Sequence, residues 1–472
     1  MENSQGEITR RGLLKTAVFG GAGSLFGSAS LTAQAPEKPA AKARGVIFMV
    51  SDGMSPGVLT LAESYSQLTR QHGTRWWQLF NDPNSARGLM DTASASSMVT
   101  DSAAAASAWG GGKRINNGVI NIDPAGRELT PIAALLKRKP QARIGLVTTA
   151  TVTHATPAGF AAAVPARGSE ALIAPQYLDR VDVILGGGSG YFEANNRPDH
   201  RNLHEDFVKA GYQTVADRDA LLAAKTPKLL GTFSAGHLPF EIDRLNDAAL
   251  AKRIPTLKEM AMAALDRFLA GDQPFLLQIE GARIDHAAHL NDIAALLGDQ
   301  LAFDDTLGAV LDAITGRDDI LVVVTSDHGN ANPGLSGMGV AYGDSTAAFK
   351  KIVRAKTSHE ALFAVWNGQQ ERDPAKLAAM VASGLGVTLQ PAETAALAAI
   401  VGTGHVTEWN HQLEKPEGLL GQLCGNHTGI GWVGTSHTSD PTLVSAIGPQ
   451  AHRFGGMLVN SDVFGHLVEL LG

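Results

Sequence analysis

Short, continuous runs of apolar residues recur along this chain, and helical patterns separate them. The runs are residues 46–50, 144–149, 183–188, 275–279 and 320–325. An uninterrupted apolar run that ends in a turn signal is typical of a strand buried on both faces, as in a parallel sheet. The alternation of such strands with helices predicts an α/β fold. We expect a doubly wound, mainly parallel central sheet with helices on both faces and an inserted cap region.

Acidic residues and a histidine stand where three of these predicted strands end. Asp52 follows the first run, Glu280 closes the run 275–279, and Asp327 and His328 follow the run 320–325. Open α/β sheets keep their sites at the carboxyl ends of the strands, which favours a shared functional site. For Asp52 alone, a simple turn before a glycine is an equally good explanation.

A metal-binding spacing follows the fourth predicted strand. Asp285 and His289 lie four residues apart in a segment that predicts one long helix from Arg283 to about Ile314. Both side chains project from one helical face, at a distance that suits a shared ion. On spacing alone, an ordinary surface Asp–His pair is the commoner explanation.

Ser102 opens an alanine-rich run that predicts the start of a helix. Free backbone N–H groups and the positive end of the helix dipole would stabilise an alkoxide there and receive a phosphoryl group. An ordinary helix cap is the commoner reason for a serine at this place. The presence of Thr156, Arg167 and His437 on predicted loops favours a functional role for Ser102 over a helix cap. Together with the carboxylates and histidines they form a phosphoryl-transfer constellation with two or three metal sites.

Two glycine clusters, residues 110–112 and 186–188, lack the spacing of a phosphate-binding P-loop. Neither is closed by Gly-Lys-Ser/Thr at a strand-to-helix turn. We interpret both as places where the backbone packs tightly.

The first 35 residues predict a twin-arginine signal segment. Arg10 and Arg11 precede a mildly apolar, Gly- and Ala-rich stretch that is too short and too polar for a membrane anchor. A linker over 36–44 follows. The expectation is a periplasmic or secreted protein, with the twin-arginine export machinery as a partner and no stable membrane anchor. The single cysteine, Cys424, rules out an intramolecular disulfide, and the net charge of −7 argues against a specific nucleic-acid partner.

A collinear set of segments resembles the alkaline phosphatase family. Asp101–Ser102–Ala103–Ala104, residues 182–188, residues 280–285 and Asp327–His328–Gly329 occur in order with the family's spacing, and the resemblance extends over 45–329 and 437–470. It implies a catalytic core of 45–329 and 437–472, with 330–436 as an insertion or cap. It also implies an enzyme that hydrolyses small-molecule phosphate monoesters with two Zn²⁺ and one Mg²⁺. The resemblance leaves open whether the protein forms a homodimer, because the insertion does not match the family's usual crown region.

The same resemblance implies roles for individual residues. Ser102 would be the nucleophile that becomes phosphoserine, and Arg167, oriented by Asp101, would clamp the phosphate. The implied ligands are Asp285, His289 and His437 for the first zinc; Asp52, Asp327 and His328 for the second; and Asp52, Thr156 and Glu280 for magnesium, with His154 counted in the third site.

His437 is preferred to His427 because it stands eleven residues before Gly448–Pro449, as the family's zinc histidine does. His427 is expected to be a structural residue of the cap. His154 and His286 stand where the best-studied bacterial type has Asp and Lys, and histidine at both places is like the animal-type enzymes.

Two other functions compete with the phosphomonoesterase. One is a phosphodiesterase or sulfatase of the same superfamily, although the Cys/Ser-x-Pro-x-Arg motif of sulfatases is absent. The other is a non-catalytic periplasmic protein that binds metal or phosphate. Ser102→Ala would distinguish them, because an enzyme would lose its covalent chemistry whereas a binding protein would keep its ligands.

Overall fold

The computed structural model describes residues 42–138, 142–339, 341–403 and 415–471. The chain divides into two units, Met1–Ala40 and Ala41–Gly472. The predicted signal segment and most of the predicted linker lie outside the described residues.

The described strands are short, as the apolar runs predict. They are β1 (Gly45–Ser51), β2 (Ala86–Asp91), β3 (Arg143–Thr151), β4 (Val183–Gly187), β5 (Gln213–Val215), β6 (Leu229–Thr232), β7 (Phe275–Gly281), β8 (Ile320–Thr325), β9 (Gly329–Asn330), β10 (Gly334–Leu335), β11 (Ile430–Gly431), β12 (His437–Thr438), β13 (Thr442–Ile447) and β14 (Gly456–Val459).

Ten of these strands form one sheet, in the order β14-β2-β13-β8-β1-β7-β3-β4-β6-β5. All neighbours pair in parallel except at β13, which runs antiparallel to both β2 and β8. The predicted doubly wound, mainly parallel sheet is confirmed. The central strands β8, β1 and β7 are fully buried, which explains their uninterrupted apolar sequences.

The helices lie around this sheet. They are α1 (Pro56–Arg70), α2 (Arg75–Asn81), α3 (Ser102–Gly111), α4 (Ile132–Leu136), α5 (Ala155–Ala161), α6 (Glu170–Ile173), α7 (Leu203–Lys209), α8 (Arg218–Ala223), α9 (Glu241–Asn246), α10 (Ala248–Arg253), α11 (Leu257–Leu269), α12 (Arg283–His289), α13 (Ile293–Ala313), α14 (Ser345–Phe349), α15 (His359–Asn367), α16 (Pro374–Leu385), α17 (Pro391–Thr403), α18 (Pro416–Thr428) and α19 (Asp462–Leu471).

Strand β1 shows how the two layers of helices are separated. Ile47 and Met49 belong to one hydrophobic cluster, which includes residues of α11 and α13. Phe48 belongs to the other, which includes residues of α3, α5 and α19. Because successive side chains of a strand point to opposite faces, one apolar run contributes to both layers of the core.

The single long helix predicted from Arg283 is wrong, because the chain forms α12 and α13 instead. Asn291 between them has a φ of 49°, in the left-handed region, which ends the first helix. Asp292 then caps the second helix by accepting from the backbone N–H groups of Ala294 and Ala295. The break leaves Asp285 and His289 on a short helix of their own.

Residues of the predicted insertion, 330–436, form a third hydrophobic cluster that includes Leu362, Trp366, Leu377 and Leu420. This region also contacts the rest of the chain: Phe349 and Ile352 belong to the hydrophobic cluster of α11 and α13, and the backbone N–H of Ser358 donates to the carboxylate of Asp243 at 2.8 Å. In the described part of the chain, a helix with the length and apolar character needed to cross a membrane is not found.

Candidate active site

Three carboxylates meet at the carboxyl edge of the central strands. Val50 of β1 pairs with Glu280 of β7 and with Thr325 of β8, so the three strands end at the same level. Asp52 and Asp327 follow directly, and these two side chains and that of Glu280 are completely buried. The sheet register thus places the predicted strand-end groups together.

His328 joins two groups of candidate metal ligands. In the first group, its Nε2 lies 3.1 Å from Asp327 Oδ2 and 3.6 Å from Asp52 Oδ1. Both oxygens of Asp52 are buried without a hydrogen-bond partner among the described residues. Buried carboxylate oxygens are costly unless a donor or a cation satisfies them, so this donor set fits a metal ion.

The second group brings Asp285 and His437 to His328, with ligand atoms within 4.8 Å of one another. His289 joins them, since its Nε2 lies 3.3 Å from Asp285 Oδ2 and 3.1 Å from His437 Nε2. The Nδ1–H of His289 donates to the carbonyl of Thr435 at 2.7 Å. The Nδ1–H of His437 likewise donates to the backbone carbonyl of Thr100 at 2.8 Å. In the neutral rings each Nε2 then carries a lone pair, and the two atoms lie close together, as in metal-binding histidines.

A pair of two-residue strands carries His437 into this group. In β12, His437 pairs with Asn330 of β9, immediately after Asp327 and His328. The Asn330 side chain donates to Asp285 Oδ1 at 2.7 Å and thereby orients that carboxylate. Sequence reasoning missed Asn330, because an asparagine just after a strand is an ordinary turn residue.

The third group consists of Asp52, His154 and Glu280. The hydroxyl of Thr148 donates to Glu280 Oε2 at 2.6 Å, whereas Glu280 Oε1 is buried without a partner among the described residues. Thr156 Oγ1 and His154 Nδ1 are likewise buried without a hydrogen-bond partner among the described residues. The predicted third site is therefore assembled at one place, with oxygen ligands predominating.

Ser102 begins helix α3 beside the first group. Asp101 is the cap residue and accepts from the Ala104 N–H, so Ser102 lies in the first turn with its Oγ 3.1 Å from His328 Nε2. Arg167 donates to Asp101 Oδ2 at 3.0 Å and approaches His154 Nε2 at 3.1 Å. The nucleophile, the guanidinium and the ligand groups predicted from the sequence thus form one cluster.

Burial and the close approach of these groups shift the pKa values of the carboxyl groups. Burial, followed by the charges of Asp327, Asp285 and Glu280, raises the pKa of Asp52 well above its usual range. Burial also raises the pKa of Glu280 to about 7. Burial alone would raise the pKa of Asp285 too, but the neighbouring His289 holds it well below its usual value. Several negative groups in one dry site favour a bound cation, which offsets their mutual repulsion.

A trio of imidazoles stands beside the third group. The ring centroids of His154 and His286 are 5.6 Å apart, and His237 lies 5.6 Å from the first and 4.5 Å from the second. Desolvation of the ring by its packed neighbours, followed by the charge of Arg283, lowers the pKa of His237 to about 4, although the residue as a whole is exposed. Sequence reasoning missed His237, a lone histidine in a Ser- and Gly-rich loop. His427 lies elsewhere, on α18, where its Nε2 is 2.8 Å from Glu393 Oε2.

Comparisons with known proteins agree with this geometry. The family model described as alkaline phosphatase matches residues 43–472. Alkaline phosphatase 3 of Bacillus subtilis is 30% identical, over 79% of this chain and 77% of its own length. The crystal structure of Thermus thermophilus alkaline phosphatase superposes with a TM-score of 0.85 at 32% identity, covering 91% of this chain and 92% of that one. A cold-active alkaline phosphatase from a psychrophilic Shewanella gives a TM-score of 0.75 at 29% identity, over 91% of this chain and all (100%) of its own.

Three findings support one conclusion. They are the fold, the convergence of the strand-end ligands beside Ser102, and the family match along nearly the whole chain. This chain belongs to the alkaline phosphatase family of metal-dependent phosphate monoester hydrolases.

Proposed function

We propose that this protein hydrolyses phosphate monoesters through a phosphoserine at Ser102, at a centre that holds two Zn²⁺ and one Mg²⁺. The observation that carries the proposal is the position of Ser102 Oγ, 3.1 Å from the imidazole that two ligand groups share. A nucleophile at that place can receive a phosphoryl group whose other oxygens face the ligand groups and Arg167.

The ligand chemistry supports these metals. Asp285, His289 and His437 form a mixed nitrogen and oxygen set, as do Asp52, Asp327 and His328, and such sets suit zinc. Glu280, Thr156 and Asp52 supply oxygens for magnesium, with His154 at the edge of that site. Bound there, the metals would supply Lewis-acid stabilisation of charge and a water of lowered pKa.

The chain's own residues carry the steps in which the phosphoryl group moves. Ser102 Oγ gives its proton to solvent and attacks phosphorus. The bond from phosphorus to the alcohol oxygen breaks, and that oxygen takes a proton from water. The start of helix α3 stabilises the serine alkoxide through its dipole. Arg167, held by Asp101, binds two non-bridging oxygens in a fork geometry. Water then attacks the same phosphorus and loses a proton, and the Ser102 oxygen leaves and is protonated again as inorganic phosphate is released.

The first prediction tests the nucleophile. Ser102→Ala removes the attacking oxygen and lowers kcat for an activated phosphomonoester about 10³-fold or more. Quenching the wild type in acid during turnover, followed by mass spectrometry, yields a phosphorylated peptide that contains Ser102. The matched control is Ser107→Ala on the same helix, which leaves the phosphopeptide in place. A phosphorylated Ser102→Ala protein, or a variant with wild-type kcat, would contradict the assignment.

We also propose that Arg10 and Arg11 direct export of the folded protein by the twin-arginine route. Replacing both by Lys then leaves an uncleaved precursor inside the producing cell, as cell fractionation would measure. Normal export of that variant would contradict the proposal.

A further inference from the structure

A rigid loop between β6 and α9 holds His237. The Gly188 N–H donates to the carbonyls of Ser234 and Gly236 at 2.9 and 2.8 Å. The Ser234 hydroxyl donates to the carbonyls of Gly236 and His237 at 2.7 and 2.9 Å. A Cβ at Gly187 would lie 2.1 Å from the Gly236 oxygen, so the glycine that ends β4 lets this loop approach. The backbone of His237 is therefore fixed on both sides.

The imidazole of His237 is held in one tautomer. The backbone N–H of Thr151 donates to its Nδ1 at 3.1 Å. Because an amide can only donate, Nδ1 carries no proton and the proton of the neutral ring lies on Nε2. The Thr151 hydroxyl is itself held by Glu170 at 2.6 Å, so the donor is fixed before any ligand arrives.

His237 is the outermost member of the imidazole trio. His154 and His286 are half-buried, whereas His237 is exposed. His154 contacts Arg167, the proposed phosphate clamp, at 3.1 Å. No described residue accepts a hydrogen bond from His237 Nε2. A donor that is held this firmly, exposed and left without a protein acceptor is suited to bind a ligand.

We propose that His237 selects among phosphate monoesters, with its Nε2–H donating to a hydroxyl oxygen of the alcohol that is released. This inference rests on the proposed function. His154, which lies 3.1 Å from Arg167, connects the trio to the phosphate clamp, and His237 is the exposed member of that trio. We therefore expect the alcohol of a bound ester to lie beside His237. The substrate class that follows is esters of polyols and sugars, which carry an oxygen acceptor near the phosphate.

The test compares two substrates that differ only in hydroxyl groups, glycerol 1-phosphate and propyl phosphate. His237→Phe keeps an aromatic ring beside His154 and His286 but has no donor. We expect it to lower kcat/KM for glycerol 1-phosphate about three- to tenfold, the range of one neutral hydrogen bond, and to leave propyl phosphate within about twofold. His237→Gln retains an N–H donor and should recover part of the preference. The control is His452→Phe, an exposed histidine on the connection between β13 and β14.

The ratio of the two kcat/KM values separates this role from a structural one. An unchanged ratio in an active His237→Phe enzyme, or equal losses for both substrates, would overturn the inference and leave the proposed function intact. If the Phe side chain disturbs the loop, His237→Ala gives the same ratio without an added ring. A metal-loaded wild type that hydrolyses neither ester would overturn the proposed function itself, and this inference with it.

Discussion

At the scale of single residues, the site depends on side chains that orient the ligands as well as on the ligands themselves. Asp285 is buried and receives a hydrogen bond from Asn330 at 2.7 Å. Asn330 also donates to the backbone carbonyl of Asp285 at 3.2 Å, so one amide fixes both the helix and its carboxylate. Groups that orient metal ligands in this way typically change metal affinity 10- to 100-fold.

Asn330→Ala should therefore weaken metal binding about 10- to 100-fold without removing a ligand. The measurement is the chelator concentration at which half of the metal is lost, followed by metal analysis. The matched control is Asn246→Ala, an exposed asparagine at the end of α9. Equal metal retention in Asn330→Ala and the wild type would contradict an orienting role.

At the scale of elements, the sequence predicts the central strands well and the sheet's edge poorly. Asp52, Glu280 and Asp327 could be placed because each closes an uninterrupted apolar run. Strands β2 and β14 could not be placed, because most of their residues are partly or fully exposed and their apolar stretches are only two and three residues long. Their pairing depends on tertiary contacts that local patterns do not contain.

The arrival of His437 at this site was predictable only through the family resemblance. The pairing of His437 with Asn330 joins positions 107 residues apart, through strands of two residues each. So short a pairing has no periodic signal of its own. The left-handed conformation of Asn291, which divides the predicted long helix, is likewise invisible in an apolar pattern that continues on both sides.

The contact between α3 and α5 sets the distance between Ser102 and the third ligand group. A Cβ at Gly110 would lie 2.0 Å from the Gly159 oxygen, so α3 approaches α5 as closely as the backbone allows. This agrees with the interpretation of residues 110–112 as tightly packed backbone. Ser102 and Thr156 are carried by these two helices.

Gly110→Ala should force the two helices apart and lower the free energy of unfolding by about 1–3 kcal/mol, with a loss of kcat. Denaturant unfolding measures the first effect. Gly465→Ala is the matched control, because a Cβ on this residue of α19 meets no atom within 4 Å, and alanine favours a helix. Wild-type stability in Gly110→Ala would show that the helices can separate at no cost.

At the scale of the whole molecule, folding concentrates negative charge at the carboxyl ends of the central strands, and a bound cation should compensate for it. The pKa of Glu280 is raised by burial from its ordinary value of 4.5 to about 7. The metal-free fold is thus most favoured when this carboxyl is protonated. Metal binding and folding stability are therefore linked through pH.

For metal-free protein, the stabilisation that Glu280 contributes relative to Glu280→Gln should fall as the pH rises from 4.5 through about 7. Below this window the carboxyl is protonated in both folded and unfolded protein. Within this window Glu280 is ionised in the unfolded protein but still protonated in the folded protein, so the stabilisation falls. Above the window the stabilisation has been lost completely. Urea unfolding of both proteins across the window, after chelation, measures the difference. A difference that grows with pH would contradict the raised pKa.

The measurement that tests the central claim most directly is hydrolysis of an activated phosphomonoester by the purified protein. Turnover is followed before chelation, after chelation and after addition of Zn²⁺ and Mg²⁺, with the metal content determined at each stage. We expect turnover that chelation abolishes and that the two metals together restore. Turnover that persists without metal, or no turnover with all sites filled, would contradict it.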